Sequence, residues 1–84
     1  MLILETKVPT QENWEPTHSD GVITMVLSDV STSTTHFIDL YGEGTYGMSM
    51  RFEDRETAKL AWQEIIQKSS VSKSHLKEMG FEEY

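Results

Sequence analysis

Residues 46–68 read Tyr-Gly-Met-Ser-Met-Arg-Phe-Glu-Asp-Arg-Glu-Thr-Ala-Lys-Leu-Ala-Trp-Gln-Glu-Ile-Ile-Gln-Lys, and the spacing of their apolar positions changes half-way along. Tyr46, Met48, Met50 and Phe52 alternate with Gly47, Ser49, Arg51 and Glu53, the pattern of a strand with one buried face. From Asp54 onward the spacing is helical, with Ala58, Ala61, Trp62, Ile65 and Ile66 on one stripe. Asp54 is placed to accept hydrogen bonds from the first-turn amides, and Glu56 sits near the positive end of the helix dipole. Leu60 lies opposite the stripe, so a helix docked through that stripe leaves it exposed or covered by something else. A strand leading straight into an amphipathic helix lets each apolar face bury the other. This places the chain in the α+β class.

Upstream, three further strands are predicted. Leu2, Leu4, Thr6 and Val8 alternate with Ile3, Glu5 and Lys7 over residues 2–8, and Pro9 ends that strand or confines it to a sheet edge. Residues 22–28 open on a nearly continuous apolar run from Val22 to Leu27, as in a strand inside a sheet. In residues 35–41, Ile38 and Leu40 share a face with His36, while Phe37 and Tyr41 share the other with Asp39. A fourth strand spans residues 45–53. Asp20-Gly21, the hydroxyl-rich run from Ser28 to Thr35 and Gly42-Glu43-Gly44 supply the connections, and Thr10–Asp20 is a long polar loop. Downstream of the main helix (residues 54–68), a short one is predicted at 73–79. It is stopped by Gly80, with Leu76 and Phe81 placed for the apolar contact of a Schellman ending. The expected architecture is an antiparallel meander of about four strands, one face packed by the main helix, with a short C-terminal helix, in a single domain spanning residues 1–84. The uncovered sheet face would show Phe37 and Tyr41.

Composition narrows the function classes. A chain of 84 residues buries about 60–65% of its unfolded surface, so its core is modest. It has no cysteine, which excludes disulfides, thiolate zinc sites and a cysteine nucleophile, and favours a reducing, cytoplasmic setting. No apolar run approaches the ~18 residues of a membrane span, and the N-terminus lacks a signal-peptide layout. The net charge of −7 disfavours nucleic acid and anionic membrane as partners. From Val8 to Met50 there is no Lys or Arg, whereas Glu12, Glu15, Asp20, Asp29, Asp39 and Glu43 all fall there.

No catalytic pattern stands out. His18, His36 and His75 are dispersed and lack metal-ligand spacing. No serine sits in a nucleophile elbow, and Gly42–Gly47 lacks the Lys-Ser/Thr and following helix of a phosphate loop. No metal or other cofactor is called for. The leading expectation is a small acidic, non-enzymatic module that occludes a basic surface of a target protein. Phage-encoded inhibitors of host machinery and immunity or antitoxin proteins share this physical plan. Trp14, Glu12, Glu15, Asp20, Asp29, Asp39 and Glu43 are the candidate contacts. The first alternative is a self-associating assembly protein that uses Phe37, Tyr41 and Leu60, or the Leu2–Val8 edge, to form a homodimer. The second is a small enzyme or ligand-binding protein with a pocket converging on His36, Asp39 or Tyr46.

Overall fold

Each strand lies beside its neighbour in sequence, so the sheet is a simple meander. The computed structural model describes residues 1–11, 21–42 and 47–83. In chain order the elements are β1 (Leu2–Pro9), β2 (Val22–Asp29), β3 (His36–Tyr41), β4 (Gly47–Phe52), α1 (Arg55–Ile66), α2 (Lys73–Met79) and β5 (Glu82–Glu83). The sheet has five strands in the order β1-β2-β3-β4-β5, and every pairing is antiparallel. This is the expected α+β meander with one addition. The acidic C-terminal residues Glu82 and Glu83, beyond the four strands expected, form a short edge strand on β4.

The register assigns every second residue to one layer. Ile23, Met25 and Leu27 of β2, Ile38 and Leu40 of β3, and Met48 and Phe52 of β4 are all buried and face the helices. Val8 joins them from β1. Ala58, Trp62 and Ile65 of α1 and Leu76 of α2 close this layer from above. Burial of each large side chain stabilises by roughly 1.5–3 kcal/mol, so this layer dominates the fold's energetics. Ile66 departs from the expected stripe: it is 44% exposed, because at about 100° per residue it falls at the margin of the Ala58–Trp62–Ile65 face, in the last turn of the helix.

The helix ends follow local chemistry. Asp54 accepts from the Thr57 amide at 2.8 Å to start α1, and Ser72 accepts from the His75 amide at 3.2 Å to start α2. Gly80, at φ +114°, lets its amide donate to Lys77 and the Phe81 amide donate to Leu76. That is the Schellman ending expected from the sequence, and Phe81 is buried in the core beside Leu76. The turn is what returns the chain to the sheet as β5. Glu83 then forms ion pairs with Lys73 and, at 4.0 Å, with Lys77.

The hydroxyl-rich connection is shorter than expected, since Ser28 and Asp29 belong to β2 and only residues 30–35 form the turn. Within it the Val30 amide donates to Thr35 at 3.1 Å, the Ser33 amide donates to Val30, and the Thr35 amide bonds to the Ser33 hydroxyl. At the other end of the sheet the α1–α2 connector touches the free side of β1. The Val71 amide donates to the Pro9 carbonyl at 2.9 Å, and the Gln11 amide donates to the Val71 carbonyl at 3.0 Å.

Gly80→Ala should lower unfolding free energy by about 1–2 kcal/mol, read from urea denaturation, because a side chain disfavours this left-handed backbone. Its Cβ would also meet Met50 Cε at 3.1 Å. The Asp54 carboxyl is held below its usual range by its hydrogen bonds to Thr57, and that of Glu83 by its bond to Lys73. Depressed carboxylates stabilise above their unfolded pKa, and that stabilisation is lost as pH falls through the folded one. Thermal midpoints should therefore fall between about pH 5 and pH 3, and the deficit of Asp54→Ala relative to the parent should narrow at the acidic end.

Candidate functional site

α1 and α2 pack on the same face of the sheet, so the short second helix does not cover the other face. On that face the register aligns three rows of side chains. The central row is Glu5, Val26, Asp39, Ser49 and Glu82, one residue from each of the five strands. Its carboxylates stand on the first, third and fifth strands, roughly 10 Å apart at the usual strand spacing. One flanking row is Lys7, Thr24, Tyr41 and Gly47; the other is Leu2, Ser28, Phe37 and Arg51. Asp39 therefore sits between Phe37 and Tyr41 on its own strand, with Val26 opposite it.

Tyr41 is 37% exposed, and Phe37, Asp39 and Val26 are half-buried. Such a surface offers apolar area and fixed negative charge together. The cations stand at its margins: Arg51 Nε lies 3.4 Å from Glu53, and Lys7 belongs to the outermost strand.

The candidate acids are not all on this surface. Asp29 lies opposite His36 on the helix side, at the end of β2. Its Oδ1 lies 3.3 Å from the Met1 ammonium and its Oδ2 lies 3.9 Å from Arg55, so it ties the first strand and α1 to the sheet. Asp39 faces the other way. Glu12, Trp14, Glu15, Asp20 and Glu43 lie outside the described residues. Among those described, the surface gains Glu5 and Glu82, which sequence reading passed over. Glu82 escapes a sequence reading because its pairing with Ser49 spans the whole helical region, a distance that no local pattern reports.

The constellation proposed for an enzyme is not assembled by β3. His36 and Asp39 project to opposite faces of that strand, and Tyr46 lies outside the described residues. His36 is buried, with Nδ1 donating to the Thr34 carbonyl at 2.6 Å, and its Nε2 has no hydrogen-bond partner among the described residues. No group of three or more His, Asp or Glu side chains among the described residues is arranged to hold a metal ion. None of the helices among those residues is long and apolar enough to cross a membrane.

A second concavity lies on the helix side. An open groove of about 540 Å³ runs between α1 and α2, floored by Met50 and Phe52 and walled by Leu60, Glu64, His75 and Met79. Leu60 is 68% exposed at its rim. The residue that looked out of place on the helical stripe is therefore uncovered by any described element.

No family model matches the sequence, and neither a curated protein nor a solved structure matches it. The functional reading consequently rests on the geometry above.

Asp29 and Asp39 should separate in a stability measurement. Asp39→Asn should leave unfolding free energy within about 0.5 kcal/mol of the parent, as for surface positions away from structural contacts. Asp29→Asn should lower it by up to about 1 kcal/mol by weakening two partly exposed ion pairs. Urea midpoints of the two variants check this.

Proposed function

We propose that the chain is a non-enzymatic protein-binding module that docks its open sheet face on a basic surface of a partner and occludes it. The observation that carries the reading is the alignment of Glu5, Asp39 and Glu82 across the sheet, with Phe37 and Tyr41 bracketing the central carboxylate. Interfaces with a useful lifetime combine buried aromatic anchors with complementary charge at their margins. Here the anchors and the charges share one rigid, hydrogen-bonded surface, so little conformational entropy is lost on docking.

The net charge of −7 supports the same partner chemistry. A negative field attracts a basic surface from a distance and raises the association rate in a salt-dependent way. An inhibitor or immunity-type role follows naturally from such an arrangement, because covering a functional basic surface requires no chemistry from the module. Asp39 and Glu82 would face the partner's Lys or Arg side chains, and Phe37 and Tyr41 would fill the apolar area between them.

Affinity capture with the intact chain and with the Asp39→Lys, Glu82→Lys double variant tests this. The parent should retain a basic protein at low salt and release it at high salt. The double variant should lose it at both, with an association rate for the purified partner reduced about tenfold or more. A partner held equally by parent and double variant, with an on-rate indifferent to salt, would overturn the reading. Tyr41→Ala should act differently, speeding dissociation while leaving the salt dependence in place.

A further inference from the structure

We propose that the free edge of β1 pairs with β1 of a second copy of this chain, joining two sheets into one continuous sheet. Among the described residues β1 is the outermost strand, hydrogen-bonded from Leu2 to Val8 only to β2. The direction of its backbone groups can be read from its far end. The Thr10 amide donates to Gly21 beside β2, whereas the Pro9 carbonyl and the Gln11 amide point the other way, to Val71. Alternation along an antiparallel strand then turns the amides and carbonyls of Val8 and Thr6 towards β2, and those of Lys7 and Glu5 outward. Glu5 and Lys7 thus present donor–acceptor pairs along the edge.

The open segment is bounded at both ends. Val71 occupies the edge at Pro9 and Gln11, and the register shift between Leu2 and Leu4 bends the strand at Ile3. What remains is Leu4 to Val8, centred on Thr6. A two-fold axis at Thr6 places Glu5 of each copy opposite Lys7 of the other, in the positions that exchange both backbone hydrogen bonds. Opposite charges directly across a strand pair stabilise it. The same axis places Leu4, 38% exposed at present, beside the second copy's Val8 on the helix side.

Other registers fail on this sequence. Centring the axis on Glu5 puts two carboxylates opposite each other, and centring it on Lys7 puts two ammonium groups together. A slip by one residue sends the paired side chains to opposite faces of the sheet. The Glu-Thr-Lys triplet is therefore self-complementary in one register only, and that is why the occupant is a second copy. Pairing this way keeps both helix layers on one side and leaves Asp39 and Glu82 on the other. The proposal is independent of the reading of that open face.

Sedimentation equilibrium over a hundred-fold range of concentration at low salt tests the inference, against a chain mass of 9.6 kDa. The parent should show twice that mass at the upper concentrations. Glu5→Lys alone and Lys7→Glu alone should each sediment as monomers with unchanged circular dichroism. An equimolar mixture of these two single variants should recover the dimer, because each now carries the charges that complement the other. The double variant Glu5→Lys, Lys7→Glu should also dimerise. A parent that is monomeric throughout, a dimer that both single variants leave intact, or a mixture that fails to recover association would each overturn the proposal.

Discussion

One apolar layer holds this molecule together, and it exists because the strands agree in phase. Ile23, Met25 and Leu27 meet Leu40, Ile38, Met48 and Phe52 only while the register of β2, β3 and β4 stays fixed. A slip of one residue would send these side chains to the solvent face and bring Thr24, Asp39 and Arg51 beneath the helices. The Schellman turn at Gly80, the two capping side chains and the bridge at Val71 all serve to keep helices over that layer. Loss of any one loosens a cover; loss of phase removes the core itself.

The same constraint makes the two faces of the sheet chemically unlike. Most of the large aliphatic side chains are drawn to the helix side, and the other face receives Glu5, Asp39 and Glu82, several hydroxyls and the aromatics Phe37 and Tyr41. The five-strand register then turns scattered acids into a row. Charge that is diffuse along the sequence becomes ordered in space, and this ordering gives the open face a chemistry that composition alone does not convey.

Much of the fold was legible because the governing signals are local. The change of period at Asp54, the alternation in residues 2–8 and 36–41, and the Leu76-Gly80-Phe81 pattern each specify geometry within a few residues. β5 was not legible, because two glutamates carry no strand signal and pair with Ser49 and Met48 only after both helices have turned the chain round. The candidate surface was half legible for the same reason. Phe37, Asp39 and Tyr41 could be placed together on one face of one strand, whereas Glu5 and Glu82 join them only through pairings between strands. Asp29 was grouped with Asp39 by charge, but the turn between β2 and β3 resets the alternation, so these residues ten apart in sequence fall on opposite faces.

The contact between Val71 and the end of β1 carries a consequence for how the molecule opens. Four of the strands follow one another with short-range pairings, a topology that assembles rapidly from neighbouring hairpins. Val71 adds a long-range stitch, fastening the connector between the helices to the outer side of the first strand. Fraying of an edge strand is ordinarily the least costly excursion a sheet can make. Here the Pro9–Gln11 end of that strand is gripped from both sides, so it can peel away only when the helical connector lets go with it. The first strand and the helix pair should therefore open together, with coupled exchange of the amides near Pro9, Gln11 and Val71.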